Sequence, residues 1–151
     1  MPIDPAPDPP RAGRPVHLHW RYVGLVALGG TFGTAVRFAL TEALPSWHGV
    51  PVATFAVNVL GAFLLGVLLA GLARRGRDDG ARRAVRLLVG TGFMGGFTTY
   101  SSLAVDTDAL VRSGQAGLAI GYAVATVIIG ALAAAVGILL ASRRRARDGD
   151  R

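Results

Sequence analysis

The sequence predicts an all-α membrane protein with four transmembrane helices, the third broken near its centre. Three observations predict this class. Four apolar stretches, at roughly 23–44, 50–73, 84–110 and 116–141, approach or exceed the ~20 residues needed to cross ~30 Å of hydrocarbon. They dominate a chain of 151 residues that is 52% hydrophobic, with a mean hydropathy of +0.46, so no separate soluble domain fits beside them. The third stretch alone follows its glycines with a run of hydroxyl side chains. The chain divides into a disordered tail over 1–20, a membrane domain over 21–142 and a basic tail over 143–151.

The charges fix the expected orientation. There is no lysine, and fourteen of the sixteen arginines fall in three blocks. These are Arg11, Arg14 and Arg21; then Arg74, Arg75, Arg77, Arg82, Arg83 and Arg86; then Arg143, Arg144, Arg145, Arg147 and Arg151. Four crossings put both termini and the second connection on one side, which the positive-inside rule makes cytoplasmic. The opposite connections carry Glu42, His48, Asp106, Asp108 and Arg112. A net charge of +7 carried mostly by loops and tails points to a bilayer surface, not to nucleic acid. Without cysteine there is no disulfide framework and no thiolate metal site.

Taken in order, the first fifteen residues hold six of the eight prolines, the composition of a disordered tail. His17 and His19 have the spacing of a metal pair, but no third ligand is near. The first crossing contains GGTFGTAVRF. Gly29 and Gly33 permit close approach of another helix. Arg37 is a costly charge inside a membrane segment, and both snorkelling to the interface and a functional role suit it. LPSWHG is a short turn. In the second crossing Asn58 is the one strongly polar group, with Thr54 one turn earlier on the same face. A buried amide must be hydrogen-bonded, either as glue between helices or as a donor facing a pore. The fourth crossing repeats the pattern with Tyr122 and Thr126, four apart in an otherwise apolar helix.

The third crossing is the candidate functional centre. GTGFMGGFTTYSSLAVDTD, residues 90–108, holds Gly90, Gly92, Gly95 and Gly96 followed by a run of hydroxyls. Glycine lowers helix stability by about 1 kcal/mol relative to alanine, and Thr99, Ser101 and Ser102 offer the backbone competing bonds. Non-helical backbone at bilayer depth survives only where protein or water covers it. The stretch therefore reads as a helix interruption lining something polar.

No carboxylate lies deep in the first, second or fourth crossing, so a buried proton relay is missing. No nucleophilic triad or metal-binding cluster is evident, and an enzyme is not expected. What remains are neutral donors: Asn58, Thr54, Thr98, Thr99, Ser101, Ser102, Tyr122 and Thr126. Several weak neutral sites suit an anion that must enter and leave quickly. Ring edges, such as that of Tyr100, add positive potential. A helix break adds N–H groups on one side and carbonyls for a cation on the other.

GGTFGTAVRF, TFAVNVLGAF, GFMGGFTTYSS and the Tyr122–Thr126 pair, in this order, resemble the CrcB/Fluc family of fluoride channels. The resemblance spans Gly29 to about Gly137. It implies an antiparallel dimer of four-helix subunits, two fluoride pores, passive export of cytoplasmic fluoride across the cell membrane, and a structural sodium ion (Na+) at the dimer centre. Carried over by position, backbone carbonyls of Gly95 and Thr98 hold the sodium. Asn58, Thr54, Tyr100, Ser101, Ser102, Leu103, Tyr122 and Thr126 line the fluoride pathway. Arg37 and Asp106 belong to the vestibule, with Asp108 as the alternative acid. The family pattern TTFSTF departs here to TTYSSL, so Tyr100 keeps a ring and Leu103 has none.

Fourteen arginines against two also bear on the dimer, which is either a homodimer or a heterodimer with an oppositely oriented homologue. At about 1 kcal/mol per basic residue at an anionic surface, that imbalance favours a single orientation. Two rival functions remain: a small multidrug-type proton antiporter, for which Glu42 lies too near the helix end, and a conduction-poor structural subunit of a heteromeric channel.

Overall fold

The computed structural model describes residues 19–47 and 49–148, with side chains through Arg143. Most of the expected tail over 1–20, with His17, and the last residues of the basic tail lie outside the described residues, as does His48. Among the described residues the chain is all-helical, without a strand. The helices are α1 (Trp20–Ala43), α2 (Val52–Ala73), α3 (Gly80–Val85), a π-helical segment (Arg86–Phe93), α4 (Met94–Phe97), α5 (Tyr100–Arg112) and α6 (Ala116–Asp148). Three of them, α1, α2 and α6, are long and apolar enough to cross a bilayer. The helical chain of α6 continues through the first of the C-terminal arginines as far as Asp148.

α3, the π segment and α4 form one continuous helical path, because the residues joining them keep right-handed helical angles. That path stops at Thr98 (φ −79°, ψ 157°) and Thr99 (φ −151°, ψ 119°), both extended, and α5 starts at Tyr100. All four glycines from Gly90 to Gly96 therefore lie within helix. The interruption falls on the two threonines that follow them.

The glycines serve close packing. A Cβ at Gly29 would run into the Leu88 carbonyl oxygen, and one at Gly33 into that of Phe93. From the other side, a Cβ at Gly92 would come to 2.7 Å from the Val26 oxygen, and one at Gly96 would strike that of Gly30. The backbones of α1 and the glycine-rich helix touch directly, and their numbering rises together, so the two run parallel. α2 and α6 also touch backbone to backbone, where Gly66 abuts Ala134 and Gly137 abuts Phe63. The contacts near their ends, Tyr122 with Pro51 and Arg74 with Ala141, rise together in number, so these two are parallel as well. Gly61 of α2 leaves room for the Phe97 ring and the Thr98 methyl group at the interruption.

Two small apolar clusters flank the extended pair. Val57, Met94 and Phe97 lie before it, and Leu103, Leu110, Ala119 and Tyr122 after it. Elsewhere the apolar side chains point outward. Phe32 and Ile120 are each 64% exposed, and Phe38, Val127 and Leu132 are similar. A water-soluble fold rarely leaves so much contiguous apolar surface bare; hydrocarbon or another subunit is its natural solvent.

Candidate functional site

The site grows from an accounting question: where do the backbone groups freed at Thr98 and Thr99 find partners? Asn58 of α2 answers for Thr99 on both sides. Its Oδ1 accepts the Thr99 N–H at 2.7 Å, and its Nδ2 donates to the Thr99 carbonyl at 2.9 Å. Thr98 turns back on α4, its N–H and its hydroxyl both donating to the Met94 carbonyl at 2.9 Å. On the α1 side, Arg37 Nε donates to the Gly96 carbonyl at 3.1 Å, with the Thr34 hydroxyl at 3.4 Å. Thus Arg37, inside an apolar helix, is held by a carbonyl near the helix end.

Thr99 also opens α5. Its hydroxyl oxygen accepts the Ser102 N–H at 3.0 Å, the N-cap bond that satisfies one orphan donor of a new helix. The same hydroxyl donates to Ser102 Oγ at 3.1 Å and lies 3.2 Å from Ser101 Oγ. With that single hydrogen given to Ser102, Ser101 donates to Thr99. The second amide hydrogen of Asn58 and the hydroxyl hydrogen of Ser102 then have no protein acceptor among the described residues. Both are neutral donors at the interruption.

One helical turn away along α2 and α5 lies a second polar layer. Thr54 is four residues before Asn58, and Asp106 four after Ser102, so each sits ~6 Å along the same face. Between them the phenol of Tyr122, buried with Thr54, reaches 3.4 Å to both Asp106 Oδ2 and the Pro51 carbonyl. Such long contacts hold a proton loosely. Thr126 is buried and donates to the Tyr122 carbonyl at 2.7 Å, so its hydrogen is committed to its own helix.

The structure thus gathers Asn58, Thr98, Thr99, Ser101 and Ser102 at one level, and Thr54, Asp106, Tyr122 and Thr126 beside it. Leu103 is buried in the cluster with Leu110, Ala119 and Tyr122, inside its own bundle. Tyr100 points the other way, 81% exposed. Arg37 and Asp106 stand on opposite sides of the interruption, one on the α1 face and one among α2, α5 and α6, and no ion pair joins them. Asp108 pairs with Arg112 at 2.6 Å. Among the described residues no group of three or more histidine, cysteine or carboxylate side chains could hold a metal.

Sequence reasoning missed Thr34, the capping role of Thr99 and the acceptor of Arg37. A signal existed for the cap, since a threonine before an amphipathic run is a helix start. None existed for Gly96, whose carbonyl any residue would supply.

A family model described as CrcB-like protein, Camphor Resistance (CrcB), matches residues 24–138, which covers every side chain just described. This chain belongs to the CrcB family. Among curated relatives it is similar to "Fluoride-specific ion channel FluC 2" of Leifsonia xyli subsp. xyli, 52% identical over 92% of this chain and 96% of that one. It is 51% identical to "Fluoride-specific ion channel FluC 1" of Cutibacterium acnes, over 74% and 79% of the two chains. It is 43% identical to "Fluoride-specific ion channel FluC" of Deinococcus radiodurans, over 78% and 93%. With three apolar spanning helices, this CrcB protein is a multi-pass membrane protein.

Proposed function

We propose that this CrcB protein is a subunit of a fluoride-specific channel that passes fluoride down its gradient, and not an enzyme. The names of its relatives supply the ion. The observation that carries the reading is the clamp of Asn58 on Thr99, which holds a stretch of extended backbone open beside unused neutral donors. Asn58, Ser102 and Tyr122 then form the rungs of a polar path, with Thr54 beside Tyr122. None bears a fixed positive charge, so each can release the ion it binds.

In this reading the path from 80 to 112 is a fourth crossing, interrupted at Thr98 and Thr99. α5 alone, thirteen residues or about 20 Å long, is too short to span. The termini and the second connection lie in the cytoplasm. An oppositely oriented subunit completes the channel.

The sodium ion of the resemblance fits the carbonyls present. The helical donor for the Gly95 carbonyl would be the Thr99 N–H, which Asn58 takes instead. The Thr98 carbonyl follows directly, and Gly95 is exposed with nothing within 4 Å of an added Cβ. Gly95 and Thr98 would hold the ion, and a second subunit would supply matching oxygens. The ion would neutralise the carbonyl ends of two interrupted helices.

The test is fluoride-electrode efflux from vesicles containing this chain, alone and with a co-expressed homologue, with chloride as the control ion. Fluoride efflux without chloride efflux, requiring no proton gradient, is expected. Efflux that demands a proton gradient would replace the channel with an antiporter. A second reading, a subunit that conducts only with its homologue, is favoured by Leu103, which this chain buries in its own core. Efflux confined to the co-expressed sample would establish it.

A further inference from the structure

At the arginine-rich end, α2, α6 and Val85 leave an apolar groove of about 880 Å³. That is within the ~300–1,000 Å³ typical of ligand pockets. Phe63, Leu64, Leu68 and Leu140 wall it, and Arg74 and Arg75 stand at its mouth. None of the residues that line the groove belongs to the path described above.

The charge balance at this mouth is uneven. Asp78 is held by Arg86 through two bonds, at 3.0 and 2.7 Å, and Arg83 lies 3.7 Å away. The bonded Arg86 guanidinium, with Arg83 nearby, keeps the Asp78 carboxyl below the usual carboxylate range. Asp79 pairs with Arg82 at 3.2 Å. Both acids of the connection are therefore matched. Arg74 gives one amino group to the carbonyls of Ala141 and Ser142, at 3.3 and 2.5 Å, which anchors its guanidinium at the α6 side. Its remaining N–H groups, and the whole Arg75 guanidinium, have no acceptor among the described residues.

An apolar trough lined at the end of apolar helices by one guanidinium that is anchored but has N–H groups to spare, and by a second with no acceptor among the described residues, matches the chemistry of an anionic lipid. We propose that this groove seats a single anionic phospholipid, its acyl chain along Phe63, Leu64 and Leu68 and its phosphate on Arg74 and Arg75. Guanidinium forks bind phosphate oxygens in pairs. A zwitterionic lipid fills the same trough but brings no net charge.

The experiment is native mass spectrometry of the detergent-purified full chain with phosphatidylglycerol or phosphatidylcholine of identical chains. Wild type should retain phosphatidylglycerol at least about fivefold better, the value of one basic residue at a lipid headgroup. Arg75→Gln, which breaks no hydrogen bond of the guanidinium among the described residues, should bring the two lipids close to parity. Gly71→Leu, whose added Cβ meets nothing within 4 Å, should fill the trough and lower retention of both. Inorganic phosphate at millimolar concentration should displace neither. Equal retention by wild type, an unchanged preference in Arg75→Gln, or displacement by inorganic phosphate would each overturn the proposal. Because binding is read in detergent, it is independent of how the chain is oriented and of whether it conducts.

Discussion

Asn58 satisfies both backbone groups of Thr99, and the cost of losing it follows directly. Asn58→Ala leaves a partly buried N–H and carbonyl without partners, a penalty of about 3 kcal/mol. The expected result is a markedly lower melting temperature in detergent, together with loss of fluoride flux. An unchanged melting temperature would show that the clamp is not what holds the interruption. Asn58 was visible in the sequence as a lone amide among apolar residues. Its partner was not, because Thr99 is 41 positions away and offers only backbone atoms. Arg37 is the same case. Its cost was evident, but the Gly96 carbonyl that compensates it carries no residue-specific mark.

At the level of helices, the glycines separate into those that touch backbone and those that face open space. Gly33→Ala would drive a methyl group against the Phe93 carbonyl, with the Phe97 nitrogen at 2.9 Å, and no side chain can rotate away to make room. Overpacking of this kind costs about 1–3 kcal/mol. Gly24→Ala on the same helix meets nothing within 4 Å and gains up to about 1 kcal/mol of helix propensity. Paired thermal melts should therefore move in opposite directions, and equal shifts would deny that α1 packs on the π segment as described. The all-helical class, the ends of α1 and α2 and the start of α6 were legible from apolar run lengths alone. The end of α6 was not, because its helix runs on past Ala141 through arginines to Asp148. The place of the interruption was less so. A glycine that admits a neighbouring backbone and a glycine that unwinds a helix look alike in a sequence. Gly92 and Gly96 proved to be the first kind, while Gly90 meets only leucine side chains and Gly95 faces open space. The π segment had no signal, since one extra residue per turn changes no residue type.

For the molecule as a whole, the decisive quantity is how its arginines are shared between two ends. α1 runs parallel to the glycine-rich helix, and α2 parallel to α6, so Arg21, the connection from Arg74 to Arg86, and Arg143 gather at one end. The bond from Arg74 to Ala141 and Ser142 ties two of these blocks together. Glu42, Asp106, Asp108 and Arg112 mark the other end. An antiparallel pair of identical chains requires one sequence to insert both ways, and at about 1 kcal/mol per basic residue this asymmetry opposes it. The chain contains no cysteine, so single thiols introduced by Ala73→Cys and Gln115→Cys can be labelled without background. A membrane-impermeant maleimide added to whole cells should reach the thiol from Gln115→Cys and spare that from Ala73→Cys. Labelling of both to the same extent would mean dual insertion, and a channel built from this chain alone would follow. Labelling of one end only would mean that an oppositely oriented subunit, which the proposed channel requires, is a different chain, one whose arginines lie at the other end.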